Sequence, residues 1–259
     1  MKKLKSFFTL AGLLLLTGCF EINEDIDVKA DGKGVYSIHN DMSQILQAMS
    51  SYMGKDEMEK QMPSRNIDTT VMMKSLLDTA KNISAENKAL VKDGTVHLLL
   101  NMDKKEFKSD IVIPFKNLSD LQKLYNAMNS QSLGFTQFFK GMAGKPDSTL
   151  GSSNDSGMPD MNQFNAIYDF VSHDGLISRK LNAERWKALQ QSPQFAQMKE
   201  AGSMGISIPY TLTIAVPRPV KKVDNELAKL FPDRKKVVMQ YNLVEVFDHP
   251  EKFEYTIVY

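Results

Sequence analysis

The sequence predicts an α+β fold: a mostly antiparallel sheet built from β-hairpins, with helices packed on one face. Three observations support this prediction. Segments of alternating apolar and polar residues occur in pairs, Asp-Gly turns separate two of these pairs, and a stretch with helical spacing of apolar residues follows each pair. Because short turns join strands in antiparallel fashion, we expect three strand–strand–helix units and a strand-rich tail.

The first unit covers the start of the predicted domain. Residues 20–38 predict a hairpin that turns at 31–34 (DGKG), since Asp-Gly between alternating segments is a strong hairpin signal. Apolar residues at helical spacing predict a helix over 42–53 and a second helix over 73–83.

The second unit repeats this plan. Residues 94–102 and 107–115 predict two strands, and Ser119 and Gln122 have capping-box spacing at the start of the following helix. Residues 144–162 follow and are rich in Gly, Ser, Asp and Pro, so they are expected to form a flexible loop or linker.

The third unit contains the second Asp-Gly turn. Residues 164–171 and 176–181 predict strands on either side of the turn at 173–175 (HDG), and Asn182 is expected to cap the helix that carries Trp186.

The strand-rich tail gives a prediction about burial. Residues 210, 212, 214 and 216 are apolar, and Thr211 and Thr213 lie between them, so the apolar set should face the core and the threonines should be less buried. This apolar face is expected to meet Trp186 and Leu189.

The only cysteine of the chain, Cys19, follows a leader typical of secretion. Residues 1–18 contain three early lysines and an apolar run over 7–16 that is too short to cross a bilayer. Residues 16–19 (LTGC) resemble the bacterial lipobox, in which the cysteine thiol is lipidated and the chain is cleaved before it. We therefore predict a lipoprotein signal peptide over 1–18 and lipidation of Cys19; the alternative is an ordinary signal peptide.

Composition limits the classes of protein to be considered. Removal of residues 1–18 would leave 241 residues with 29 basic and 31 acidic side chains, so no strong field for nucleic acid or anionic lipid is expected. The remaining chain divides into the lipidated N-terminus and first half of the α+β domain (19–143), the loop or linker, and a strand-rich second half (163–259). The sequence leaves open whether these halves are one domain or two.

No pattern in the sequence names a reaction. The four histidines do not stand at metal-ligand spacing from one another, and His173-Asp174 is better explained by its turn. We therefore predict no catalytic, cofactor-binding or metal-binding residues, and a protein that is not an enzyme. Sixteen methionines leave two alternatives open, a thioether copper site and apolar packing, and the second includes a cavity for an acyl chain.

The order of several segments resembles the LppM-type bacterial lipoproteins. A lipobox cysteine precedes "DIDVKADGKGVYSI", a middle segment reads "IVIPFKNLSDLQKL", and the tail contains "YTLTIAVPRPVKKVDN" and "DRKKVVMQYNLVEV". The tail departs from the family pattern at Arg218, where the family usually has glycine. The resemblance implies an α+β envelope domain that binds lipid or contacts a host surface, and only Cys19 carries over with a defined role.

These observations predict a lipid-anchored cell-envelope lipoprotein that acts as a non-enzymatic interaction or scaffold domain. The alternative is a carrier of a lipid or other apolar ligand between sheet and helices. Expected partners are the membrane, through Cys19, and an envelope protein or apolar ligand, with no nucleic acid. Phe20 follows the cysteine. An aspartate at this position would favour retention in the inner membrane in some enteric bacteria, so the outer membrane is favoured here. The acidic residues over 21–27 resemble a surface-export signal and are equally explained by an acidic tether.

Overall fold

The structure is a computed structural model that describes residues 21–53, 66–77, 83–129, 165–192, 195–196, 199 and 207–259. The predicted signal peptide, Cys19 and the predicted loop or linker over 144–162 lie outside these residues. No helix in the described part of the chain is both long enough and apolar enough to cross a membrane.

The described strands are numbered in chain order: β1 (Glu21–Val28), β2 (Gly34–Asp41), β3 (Ile67–Met72), β4 (Thr95–Asn101), β5 (Glu106–Phe115), β6 (Tyr168–His173), β7 (Leu176–Leu181), β8 (Pro209–Ala215), β9 (Lys222–Val223), β10 (Lys229–Leu230), β11 (Lys236–Asn242) and β12 (Tyr255–Val258). The described α-helices are α1 (Ser43–Met53), α2 (Met73–Leu77), α3 (Ala85–Val91), α4 (Leu118–Met128) and α5 (Ala183–Gln190). Two short 3-10 helices cover Leu243–Phe247 and Pro250–Phe253.

The described strands form two sheets, and the chain thus has both helices and mostly antiparallel sheets, as predicted. The larger sheet has eight strands in the order β10-β11-β8-β1-β2-β5-β4-β3, and the smaller has four in the order β6-β7-β12-β9. The large sheet is mixed, because β1 and β8 pair in parallel. This pair joins strands from both halves of the chain, and the long connection between them permits a parallel pair that a hairpin cannot form.

The predicted hairpins are confirmed. β1 pairs with β2, β4 with β5 and β6 with β7, each in antiparallel register. Gly32 and Gly175, the glycines of the two Asp-Gly turns, have φ of 79° and 81°. This left-handed backbone is accessible to glycine without a steric penalty, which explains why these turns could be predicted from a dipeptide.

Some predicted boundaries are wrong. Ile67–Met72 is a strand that was not predicted, and it pairs with β4. The helix predicted over 73–83 is described over Met73–Leu77; residues 78–82 lie outside the described residues, and position 83 is not helical. An acidic tether over 21–27, one of the two explanations of these acidic residues, is wrong, because β1 begins at Glu21. For β1 and β3, pairing with a neighbouring strand in the sheet decides the conformation, and local composition does not contain that information.

Helix caps are partly as predicted. Asn182 caps α5, since its side chain accepts a hydrogen bond from the Arg185 amide at 3.0 Å. Asn117, rather than Ser119, caps α4: its Oδ1 accepts from the Asp120 amide at 2.8 Å. Asparagine is as good a cap as serine, and the position two residues earlier adds about half a turn to the helix.

The predicted burial pattern of β8 is confirmed. Tyr210, Leu212 and Ile214 are buried, as is Val216 beyond the strand, whereas Thr211 and Thr213 are partly exposed. The Tyr210 ring packs on Tyr241 of β11, with ring centroids 6.0 Å apart. Trp186 packs edge-on against Phe195 at 5.5 Å, and Phe195 against Phe247.

Helix α4 lies at the junction of the two sheets. It contacts β5 of the large sheet and β6 of the small one. Its Tyr125 stacks on Phe170 of β6 with centroids 4.1 Å apart and meets Tyr36 of β2 edge-on at 6.1 Å. The buried sides of both sheets therefore share one aromatic core.

Candidate functional site

Five adjacent strands of the large sheet present an acidic surface on the side away from the core. Along β1 to β5, alternate residues point to opposite sides, and one row is largely buried while the other is partly or fully exposed. The exposed row of these strands contains seven carboxylates, here called the carboxylate face: Glu21, Asp25, Asp27, Asp41, Asp68, Glu106 and Asp110. Lys108 is the one lysine in that row.

Two histidines link carboxylates across this face. His39 Nδ1 lies 2.7 Å from one oxygen of Asp110, and His97 Nδ1 lies 3.1 Å from the other. The outer ring nitrogens extend the row, because His97 Nε2 lies 2.9 Å from Asp68 and His39 Nε2 lies 3.8 Å from Asp25. The imidazole–carboxylate row therefore crosses all five strands.

Strand register places these groups together. Asp110 of β5 lies directly opposite His39 of β2 and directly opposite His97 of β4. Directly opposite side chains in an antiparallel pair have Cβ atoms about 5 Å apart, close enough for an imidazole to reach a carboxylate.

The row is electrostatically coupled. Hydrogen bonds to Asp68 and Asp110 raise the pKa of His97. Partial burial raises the pKa of Asp110, but hydrogen bonds and charge from the two histidines outweigh it, so that its pKa is lowered overall. Acidification near neutral pH therefore reduces the negative charge of the carboxylate face by protonating imidazole.

The arrangement does not form a metal centre. Within the ranges that the structure describes, no group of three or more His, Cys, Asp or Glu side chains could hold a metal ion. The other two histidines are separate: His173 Nδ1 lies 3.1 Å from the Asp174 carbonyl in its turn, and His249 lies 3.2 Å from Glu251.

A second polar cluster lies between the two sheets. Glu24 of β1 is 1 % exposed and accepts a hydrogen bond from the Tyr210 hydroxyl. Arg179 of β7 is 0 % exposed; its Nε donates to the Phe253 carbonyl at 2.9 Å and its Nη1 to the Tyr125 hydroxyl at 3.2 Å.

The guanidinium of Arg179 also lies over aromatic rings. Its central carbon is 5.1 Å from the Tyr168 ring centroid and 5.0 Å from that of Tyr255. These cation–π contacts replace part of the hydration that burial removes. Because Glu24 and Arg179 belong to different sheets, their mutual attraction favours one arrangement of the two sheets.

Burial dominates the electrostatics of this cluster. It raises the pKa of Glu24, against the opposing influence of the Arg179 charge and of the hydrogen bond from Tyr210. Glu24 is therefore a core residue and not part of an acidic tether over 21–27. Both charged groups are inaccessible to a molecule in solution in this conformation, which favours a structural role.

The site residue predicted from sequence, Cys19, lies outside the described residues, so its lipidation stays a prediction. The alternative carrier function requires a cavity beneath α1. Met42 and Leu46 are buried there, but the side chains at positions 45, 48, 49, 52 and 53 are not among those described, and the cavity also stays a prediction.

Comparison of the chain with protein-family models, with curated proteins and with solved structures finds no match.

Proposed function

We propose that this protein is a lipid-anchored lipoprotein of the bacterial outer membrane, of the LppM type, and that it acts as a non-enzymatic interaction domain. Its carboxylate face is the docking surface, and the partner is an envelope protein with a basic surface. The seven carboxylates and one lysine in the exposed row of β1 to β5 are the observation that carries this proposal.

A surface of one charge sign suits such a role. It attracts a basic partner over a distance near the Debye length, about 8 Å at physiological ionic strength, and it repels acidic proteins. The proposal includes helices that cover the other side of the large sheet and leave the carboxylate face open. Contacts of α1, α3 and α4 with β5 support that layering.

The proposed anchor would hold the domain close to the membrane. Only Phe20 separates Cys19 from the first residue of β1. Two residues of extended chain span at most about 7 Å, so a lipid on Cys19 would keep the start of β1 near the lipid headgroups.

Mass spectrometry tests the anchor. The purified wild-type protein should begin at Cys19 and carry acyl mass, whereas Cys19→Ser should lack both the acyl mass and the cleavage. A wild-type protein without acyl mass that fractionates like the variant would refute the anchor and leave the docking surface untouched.

The docking surface can be tested with a fluorescent oligolysine peptide as the basic probe, read by anisotropy. A triple variant removes three of the face's negative charges: Asp25→Asn, Asp68→Asn and Asp110→Asn. A control removes the same charge from exposed positions elsewhere: Glu184→Gln, Glu226→Gln and Glu251→Gln.

The face variant should bind oligolysine at least about tenfold more weakly than the wild type, and the control should bind nearly as well as the wild type. Wild-type binding should also weaken as pH falls through the His97 pKa, because imidazole protonation cancels part of the face's charge. Equal loss in the face variant and the control would mean that net charge alone governs binding, and the docking surface would be misassigned.

A further inference from the structure

A second charged surface lies at the opposite edge of the large sheet. Residues 227–236, here called the basic hairpin, include β10 and the turn into β11. The turn is closed by hydrogen bonds from the Phe231 amide to the Lys236 carbonyl at 3.0 Å and from the Arg234 amide to the Phe231 carbonyl at 2.9 Å. Arg234 has a φ of 56° and donates through its guanidinium to the Val220 carbonyl, so the turn conformation is fixed.

The basic hairpin exposes two large apolar side chains. Phe231 is 46 % exposed and Leu227 is 40 % exposed, and these are two of four large hydrophobic residues so exposed in the described chain. Folding leaves their apolar surface in water, although burial of such side chains normally stabilises a protein. A paired exposure of this kind on one edge indicates contact with another apolar phase or surface.

Lysines surround these apolar side chains. Lys229, Lys235 and Lys236 are all exposed, and the Lys236 ammonium lies 5.1 Å from the Phe231 ring centroid. Lys229 contacts the uncharged Gln240 side chain at 3.4 Å. None of the three ammonium groups forms an ion pair with a carboxylate in the described part of the chain. The one acid in the turn, Asp233, accepts a hydrogen bond from the Lys235 amide at 3.0 Å.

We propose that the basic hairpin binds the surface of an anionic phospholipid bilayer. Phe231 and Leu227 would enter the boundary between headgroups and acyl chains, and the three lysines would face the lipid phosphates. An aromatic side chain at the depth of the headgroups and lysine stems that reach toward phosphate are the arrangement that the interface of a bilayer favours.

The carboxylate face would orient the protein on the same bilayer. An anionic membrane attracts the basic hairpin and repels the seven carboxylates on β1 to β5, so that the carboxylate face turns away from the lipid and stays accessible. The contact does not depend on lipidation of Cys19, because the hairpin residues and their charges are present in either case.

The hairpin and the proposed anchor lie at opposite ends of the same strands. Ile22 of β1 pairs with Tyr210 of β8, whereas Asp27 pairs with Ala215, which in turn pairs with Lys236. Ile22 and Asp27 are five residues apart along β1, a distance of about 17 Å at roughly 3.3 Å per residue. If both contacts form, the strands of the large sheet lie along the bilayer.

Vesicle co-sedimentation tests the proposal. The protein is the chain from residue 19 onward with Cys19→Ser, which keeps every described residue and carries no acyl group. The vesicles are pure phosphatidylcholine, or an equal mixture of phosphatidylcholine and phosphatidylglycerol. The protein should bind the mixed vesicles more tightly than the pure ones, and binding should fall sharply at about 1 M salt, where the Debye length is about 3 Å.

Two variants locate the contact. Lys235→Glu with Lys236→Glu should weaken binding to mixed vesicles by more than about 25-fold, at roughly fivefold for each lysine lost. Phe231→Ala should weaken it by about tenfold. The charge-matched control, Lys104→Glu with Lys187→Glu, changes exposed lysines outside the hairpin and should retain more affinity than the hairpin pair. Equal affinity of the hairpin variants and the wild type, or equal binding to both kinds of vesicle, would overturn the proposal.

A fluorescent label distinguishes insertion from simple adsorption. Cys19 is the only cysteine, so in the Cys19→Ser chain the variant Phe231→Cys has a single thiol for an environment-sensitive dye. Its emission should shift to the blue on addition of mixed vesicles, and a dye at Lys104→Cys should shift less. A larger shift at position 104 would place the membrane contact at the other end of the sheet and refute the inference.

Discussion

The buried carboxylate of Glu24 allows the effect of burial to be compared with the effect of a nearby positive charge. The substitution Glu24→Gln removes the titrating group, keeps its size and retains an acceptor oxygen for the Tyr210 hydroxyl. Two influences of opposite sign act on the wild-type side chain. Burial raises the pKa of Glu24, whereas the charge of Arg179 and the hydrogen bond from Tyr210 lower it, and burial dominates.

The sign of the pH dependence follows from this balance. A carboxyl whose pKa is higher in the folded state binds more protons there, so its stabilising contribution is complete below the unfolded pKa near 4.5 and is lost as pH rises through the folded pKa. In that window the free energy of unfolding of the wild type should fall relative to Glu24→Gln by up to about 1.4 kcal/mol per pH unit. The wild type should therefore lose stability relative to the variant between acidic and neutral pH.

Urea unfolding of both proteins between acidic and neutral pH measures this difference, and titration of every other group cancels in it. Asp110→Asn is a suitable control because the pKa of Asp110 is lowered, so the wild type should lose stability relative to that variant as pH falls. If the wild type gained stability over Glu24→Gln with rising pH, attraction to Arg179 would outweigh burial, and the account of the cluster would be wrong. A difference independent of pH would mean that Glu24 is solvated in the folded protein.

Three further predictions concern packing, capping and chain exposure. Leu212→Ala should lower the free energy of unfolding by about 2–5 kcal/mol, whereas Thr213→Ala on the other side of β8 should cost less than about 1 kcal/mol; equal urea midpoints would contradict the assignment of faces. Asn117→Ala should cost about 1 kcal/mol by removing the cap of α4, and Ser119→Ala should cost much less; the reverse order in thermal unfolding would restore the cap predicted from sequence. Limited proteolysis should cut first within 144–160, and protection there with early cleavage inside α4 would contradict the predicted loop.

Both proposed surfaces depend on a segregation of charge that the net charge of the chain does not show. Acidic and basic side chains are nearly balanced over the whole chain. In the fold, however, carboxylates collect on β1 to β5 and lysines collect at the β10–β11 edge of the same sheet. The balanced composition contained no information about this segregation, because strand order and strand side together decide which charges become neighbours.

Local physical chemistry explains which features were predictable. The turns at Gly32 and Gly175 need a positive φ that glycine adopts freely, and the cap of α5 needs one side-chain oxygen from Asn182. The alternation along β8 predicted which residues are buried because successive strand side chains point to opposite sides. Each of these features depends on a few consecutive residues, so the sequence alone determined it.

The register between β4 and β5 could not be predicted from the local sequence. A turn at 103–106 would place His97 opposite Val112, whereas the structure turns at 102–105 and places it opposite Asp110. Both alternatives keep the same side chains on the same side of the sheet, because the strand period is two. The hydrophobic pattern therefore cannot choose between them, and the imidazole–carboxylate row could not be predicted from it.

The sequence by itself determined the class of fold, the three hairpins and the burial pattern of the strands, since these follow from backbone preferences and from apolar periodicity over short segments. Only the tertiary structure decided that β1 pairs with β8 in parallel, that Glu24 and Arg179 are both buried in the core, and that the carboxylate face and the basic hairpin occupy opposite parts of one sheet. Those features join residues far apart in the sequence; Tyr210 and Glu24, for example, are 186 positions apart. Their geometry is selected by the apolar surface that all strands bury together, and this total cannot be predicted from any single segment of the chain.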